Sequence, residues 1–218
     1  MELIELQTVG MAYEGETLTF PPLSFQVHRG EAIVLRGPNG AGKSTVLRII
    51  NGLLFPTQGH YFFMGTEITP KRMEDIKYSK TFHRHMAFLW QNPDTQLFCA
   101  TVAEELAFGP LQLGLANTEI AQRVQDATEL FGLQKLMHRA PWSLSGGEKK
   151  KVALASLLTL NPSIWTLDEP LAALDKASQT LLVQFLQALK AAGKTIIFAS
   201  HDIALAEHLA DREICLGE

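Results

Sequence analysis

Nine residues constrain this chain more than any others: Gly37-Pro38-Asn39-Gly40-Ala41-Gly42-Lys43-Ser44-Thr45. They follow a short apolar run, Ala32 to Leu35, that reads as a buried strand ending in the tight turn Arg36-Gly37. A helical segment from Gly42 to about Asn51 comes next, with Gly52 as its C-terminal stop. Strand, glycine-rich turn and helix in that order fit the pattern G-x-x-x-x-G-K-S/T. The glycines let backbone N–H groups point at phosphate oxygens, and the helix adds its positive end. Lys43 can then reach the β- and γ-phosphates and Ser44 can ligate Mg²⁺. Asn39, Gly40, Gly42, Lys43, Ser44 and Thr45 are the candidate nucleotide-binding residues of this loop.

The rest of the chain is organised around strands and helices of ordinary length. Leu3, Ile4 and Leu6 begin an N-terminal strand, Leu23 to Val27 a second, and Tyr61 to Met64 another, closed by Gly65. Met86 to Trp90 reads as a strand stopped at Gln91-Asn92-Pro93, where the proline forces a loop. Ile120, Val124, Ala127 and Phe131 form an apolar stripe at helical spacing, ended by Gly132. A helix from Ser145 to about Leu160, a strand from Ser163 to Leu167 and a helix capped by Asp175 follow. That last helix carries Leu182, Phe185 and Leu189 inward and stops at Gly193, and Thr195 to Ala199 is a further strand. Alternation of strand and helix implies a parallel sheet covered on both faces. The early part is richer in strands, and the region from about Asn92 to Leu144 is mostly helical. The reading is an α/β fold, a P-loop NTPase with a mixed sheet core. It has an antiparallel β subdomain at the N-terminus and a helical subdomain inserted at roughly 92–150 of a single 1–218 domain.

Composition narrows the function. Of the residues, 46% are hydrophobic and 19% charged, which excludes disorder and collagen. The formal net charge is -4, with no basic stripe, which argues against nucleic acid as a partner. Cys99 and Cys215 lie far apart in no metal-like spacing, pointing to a reducing cytoplasm. Met1 to Val9 lacks the basic start of a signal peptide. Val152 to Leu167 is uncharged but too short to span a bilayer, and Asn161-Pro162 breaks it. Membrane spanning, if any, falls to partner subunits.

Asp168 and Glu169 stand where a buried strand emerges, the place where ligands bind in such sheets. Asp168 would hold Mg²⁺ and Glu169 would polarise an attacking water. A second glycine motif, Leu144-Ser145-Gly146-Gly147-Glu148, combines a capping box with two adjacent glycines. Gly-Gly at a helix start leaves N–H groups accessible to an anion. One chain holds one nucleotide at Lys43, so this second element suggests a site completed by another chain. Lys149, Lys150 and Lys151 read as a solvated face or a contact with neighbours, and Thr101 to Glu104 as a plain capping box. Thr166, in an otherwise apolar strand, needs a hydrogen-bond partner. His83 and His85 read as two exposed histidines rather than a metal pair, and Phe62, Phe63, Phe82 and Phe88 as core. Leu97 and Phe98 fit either an apolar docking groove or buried core.

Taken together, these motifs resemble the ATP-binding-cassette (ABC) ATPases over nearly the whole chain. The phosphate loop and Asp168-Glu169 look like that family's Walker A and B motifs, and Leu144 to Glu148 like its LSGGQ-type signature, ending here in Glu. Gln91 sits where the family has its Q-loop, His201 where it has its switch histidine, and Ala173-Leu174-Asp175 resembles its D-loop. Tyr13 resembles the aromatic that stacks on adenine. A narrower likeness runs through Gln91 to Phe98, Thr101 to Glu105 and Ala107 to Pro110, which look like the energy-coupling-factor ATPases that energise cobalt, nickel and vitamin uptake. Many of those carry a dimerising C-terminal extension, whereas this sequence ends at Glu218, just after its last expected core strand.

The resemblance implies two copies, homodimeric or paralogous, facing head to tail with ATP trapped between them. Lys43 and Ser44 of one copy would meet Ser145, Gly146 and Gly147 of the other, with Asp175 nearby. Mg²⁺ would lie near Ser44, Gln91 and Asp168, Glu169 would position water, and His201 would hold the γ-phosphate end. Integral membrane transporter subunits at the cytoplasmic face of the membrane are the implied partners. The rival reading, a soluble ABC ATPase of DNA repair or ribosomes, lacks the long coiled-coil insertion or second cassette those members carry.

Overall fold

The computed structural model describes residues 2–12 and 18–217. The N-terminal strand is β1 (Glu2–Gly10), followed by β2 (Leu23–His28) and β3 (Ala32–Arg36). The phosphate-loop helix is α1 (Lys43–Ile50). Next come β4 (Gln58–Phe63), β5 (Thr66–Glu67), α2 (Pro70–Met73), α3 (Ile76–His85) and β6 (Met86–Leu89). The helical stretch contains α4 (Val102–Gln112) and α5 (Asn117–Phe131), joined by a short 3-10 turn to α6 (Gly146–Leu160). The last third runs β7 (Ile164–Asp168), α7 (Lys176–Ala191), β8 (Thr195–Ala199), α8 (Ile203–Leu209) and β9 (Arg212–Cys215).

Antiparallel and parallel strands segregate. One sheet has four antiparallel strands in the order β2-β1-β4-β5, and the other has five parallel strands in the order β6-β7-β8-β3-β9. Period-two alternation sends neighbouring side chains of each parallel strand to opposite faces. Val34, Trp165, Leu167 and Phe198 face one core with the inner sides of α5, α6 and α7. Ile33, Leu35, Ile164 and Ile197 face the other, with α1 and the antiparallel sheet. Trp165 packs edge to face on Phe185 at a centroid distance of 5.4 Å, and Phe185 on Phe131 at 5.3 Å. Burial on both faces is what the continuous apolar runs of β3, β7 and β8 require.

Local stop and start signals act where the sequence puts them. Gly132 closes α5 at φ 66, Asp175 caps α7 and Asp202 caps α8. Capping boxes open both α4, through Thr101 and Glu104, and α6, through Ser145 and Glu148. Phe63, Phe82 and Phe88 are buried, and Phe62 is half-buried. Thr166 finds its partners: its hydroxyl donates to Ala87 O at 2.7 Å and accepts from Asn51 Nδ2 at 2.8 Å. This buried pair ties the end of α1 to the middle of β7.

Helices α2 and α3 have no counterpart in the sequence reading. Thr69 and Asp75 cap them, but Phe82 is the single fully buried residue of α3, so an apolar stripe is missing. His83 is exposed as expected, whereas His85 is half-buried and contacts Ser163 Oγ through Nδ1 at 3.1 Å. Leu97 packs against the core while Phe98 stays 64% exposed, edge to face with Phe108 at 4.9 Å. Among the described residues, no helix is long and apolar enough to cross a membrane.

Candidate nucleotide site

Because all five core strands run parallel, their carboxyl ends share one edge, and four of those ends deliver a functional group there. The turn after β3 delivers the phosphate loop, β6 leads to Gln91, β7 to Asp168 and Glu169, and β8 to His201. A cleft of ≈ 240 Å³ is lined by Asn39, Gly40, Gly42, Lys43, Ser44, Thr45, Gln91, Asp168, Glu169 and His201, with Ala41 and Thr19 completing it. Ten of the sequence-predicted site residues therefore converge. Thr19 was missed; it lies far from any motif, and no local signal marks it.

The loop backbone explains its glycines. Gly42 is the N-cap of α1 and sits at φ 90, in the left-handed region. A Cβ there would also come within 2.5 Å of Phe20 Cδ1, so this position excludes larger residues on two counts. The Lys43 side chain folds back over the loop. Its ammonium donates to Gly37 O at 2.8 Å and Pro38 O at 3.0 Å and approaches His201 Nε2 at 3.2 Å.

Glu169 is held in an uncommon backbone conformation. It sits at φ 47, and its N–H donates to Ala199 O at 2.9 Å. Its Oε1 is buried without a hydrogen-bond partner, and His201 Nε2, at 3.5 Å, is too far to serve as one. A buried carboxylate oxygen without a partner is disposed to accept from a donor such as water. Asp168, at the last position of β7, is itself buried.

The signature residues stand apart from this cleft. Ser145 and Gly146 are exposed at the start of α6, and Ser145 Oγ donates to Glu148 Oε2 at 2.7 Å. Those hydrogen bonds hold the Glu148 carboxyl below the usual glutamate range. Space around Gly146 is open, since a Cβ there would meet nothing within 4 Å. Asp175 likewise lies outside the cleft; its Oδ1 accepts from the Ser178 N–H at 2.8 Å, which lowers its pKa. Tyr13 falls outside the described residues.

The lysine run is not a uniform solvated face. Lys150 is 2% exposed, and its Nζ donates to Glu169 O at 2.7 Å and Ala172 O at 3.1 Å. Lys149 pairs with Asp94 at 2.5 Å, next to the Gln91 loop. A helix packed on several sides must turn one of three consecutive residues inward, because each step rotates the side chain by about 100°.

Comparison with known proteins agrees with this architecture. Residues 20–172 match the ABC transporter family. The nickel import ATP-binding protein LarO of Lactiplantibacillus plantarum is 46% identical over 210 residues, covering 96% of this chain and 87% of LarO. The energy-coupling factor transporter ATP-binding protein EcfA of Methanoculleus marisnigri is 38% identical over 212 residues, covering 97% of this chain and 74% of EcfA. The dimeric post-hydrolysis structure of the ATP-binding cassette MJ0796, bound to ADP and Pi, is similar at a TM-score of 0.87 and 28% identity, covering 98% of this chain and 94% of that one. With its parallel sheet delivering a phosphate loop and two carboxylates to one cleft, the chain belongs to the ABC transporter family and is an ATP-binding, ATP-hydrolysing subunit of a membrane transporter.

Proposed function

We propose that this chain powers an energy-coupling-factor-like uptake transporter for a metal ion, nickel or cobalt, or for a vitamin, working peripherally at the cytoplasmic face of the membrane. The observation that carries the mechanism is the separation of two phosphate-recognising elements. Lys43, Ser44, Asp168, Glu169 and His201 share one cleft, and Ser145 and Gly146 are exposed elsewhere with Gly147 half-buried beside them. A second copy placed head to tail brings its Ser145, Gly146 and Gly147 to the ATP held by the first. The likeness to LarO and EcfA supports the transport class, and the MJ0796 dimer supports the pairing.

Each residue then has a role set by its chemistry. Backbone N–H groups from Asn39 to Thr45 and the Lys43 ammonium bind phosphate oxygens, and Tyr13 stacks on the base. Ser44, Gln91 and Asp168 offer hard oxygen donors within the same cleft, which fits Mg²⁺. When bound, Mg²⁺ supplies charge neutralisation on the β- and γ-phosphates. Glu169 accepts a proton from the attacking water through its unpartnered carboxylate oxygen. His201 donates to the γ-phosphate end, Gln91 relays the cleft's state to the membrane subunits, and Asp175 lies near the dimer contact.

The test is Glu169→Gln, studied with membrane subunits and as the isolated chain. It is expected to bind ATP, accumulate an ATP-bound dimer and lose hydrolysis. Normal turnover would remove Glu169 as the base. Co-purification of an integral membrane protein with the wild-type chain is the expected sign of the transport role; recovery of ribosomes or nucleic acid instead would overturn it.

A further inference from the structure

The loop that follows β7 contains two non-glycine residues in the left-handed region, Glu169 at φ 47 and Ala173 at φ 63. Such conformations persist when the surroundings over-determine them. Here the Glu169 carbonyl accepts from the Ala172 N–H at 3.1 Å and from Lys150 Nζ at 2.7 Å, and the same ammonium also takes Ala172 O at 3.1 Å. The Glu169 Oε1 has no hydrogen-bond partner of its own, so its direction depends on the backbone that carries it. Lys150 thus grips the backbone of a residue whose buried carboxylate oxygen has no hydrogen bond to hold it.

Lys150 also belongs to the first turns of α6, the helix opened by Ser145 and Gly146. Its neighbour Lys149 reaches Asp94 on the Gln91 side. One rigid helix start therefore touches both loops that flank the cleft. We infer that Lys150 is a positioning residue that holds Glu169 in register for water activation and ties it to the Ser145 to Gly147 surface of the same chain. Keeping a lysine in this place has an electrostatic cost. Burial pushes its pKa down to about 8, against the opposing pull of Glu169 and Asp168.

The inference rests on the reading of Glu169 as the base and Ser145 to Gly147 as the partner's phosphate contact. It is tested with Lys150→Met, Lys150→Arg and Glu169→Gln in the full chain. Lys150→Met is expected to lower kcat by about 10- to 100-fold, the scale of a small misplacement at a reacting centre, with the KM for ATP within about threefold of wild type. Lys150→Arg, which keeps two donors, is expected to recover most of that loss. Wild-type kcat in Lys150→Met, or equal losses in the Met and Arg variants, would overturn the proposal. If Lys150→Met does not fold, Lys150→Gln replaces it under the same criteria. The failure of the underlying reading is separate: it shows as normal turnover in Glu169→Gln, whatever the Lys150 variants do.

Discussion

Lys43 Nζ lies 3.2 Å from His201 Nε2, joining the first residue of α1 to the loop after β8. With Gly37 O at 2.8 Å and Pro38 O at 3.0 Å, this contact engages all three ammonium protons. A lysine ammonium can only donate, so His201 Nε2 accepts in this contact. The same nitrogen stands 3.5 Å from the Glu169 carboxylate, so Lys43, His201 and Glu169 form one cluster.

Lys43 and His201 should separate kinetically. Lys43→Ala removes charge-assisted hydrogen bonds to phosphate, each worth about 1.5–3 kcal/mol, and is expected to weaken ATP binding about 10- to 100-fold. His201→Ala should keep affinity within about threefold and lower turnover instead. Calorimetric titration and phosphate release measure the two. Unchanged turnover in His201→Ala would take the histidine out of the mechanism.

Substitutions in the loop should differ according to what surrounds each glycine. Gly40 sits at φ 82 with open space, and Gly42 at φ 90 against Phe20. Gly40→Ala is expected to cost only the left-handed backbone penalty of about 1–2 kcal/mol. That corresponds to a melting shift of a few degrees, at about 2–4 °C per kcal/mol for a chain of this size. Gly42→Ala should lower the melting temperature further, and the double variant Gly42→Ala/Phe20→Leu should regain part of that difference. Equal shifts at the two glycines would refute the Phe20 contact as the cause.

The Asn51–Thr166 pair should show the asymmetry of buried hydrogen bonds. Thr166→Val leaves Ala87 O without its donor and Asn51 Nδ2 with Leu47 O alone. The expected cost is about 1–3 kcal/mol. Thr166→Ser, which keeps the hydroxyl, should lose less despite removing a methyl group. Chemical denaturation of the two variants decides the order.

Acid should act on the start of α6. The Glu148 carboxyl is held low first by its side-chain bond with Ser145 and then by the Ser145 backbone N–H. A depressed folded pKa stabilises the fold above the unfolded value of about 4.3, and the contribution disappears as pH falls through the folded value. Glu148→Gln keeps a capping-box side chain and lacks this titration. The melting temperatures of wild type and Glu148→Gln are expected to converge as pH drops from about 6 to 3. A difference that stays constant over that range would contradict the assignment.

How much of this was legible beforehand follows from the range over which each feature is encoded. The glycine turn before α1, the caps at Thr101, Ser145 and Asp175, and the stops at Gly132 and Gly193 are written within a few residues. So is the apolar character of β3, β7 and β8. Local sterics and hydrogen bonding specify these, and the sequence by itself determined them. It likewise determined which residue types line the cleft, because a phosphate loop and a strand-end carboxylate pair are motifs of chemistry as well as of shape.

Tertiary structure decided what depends on orientation. Three lysines in a row are chemically equal, and only the packing of α6 turned Lys150 onto Glu169 O while Lys149 went to Asp94. Adjacent Leu97 and Phe98 were equally apolar, yet one packs inward and the other is exposed. Thr19 joined the cleft without any motif. The parallel order β6-β7-β8-β3 brought Gln91, Asp168, Glu169 and His201 to the edge where Lys43 lies, and left Ser145 to Gly147 outside it. Which side of a helix is buried, and which strand ends meet, are set by contacts between segments far apart in the chain, and no local pattern carries that information.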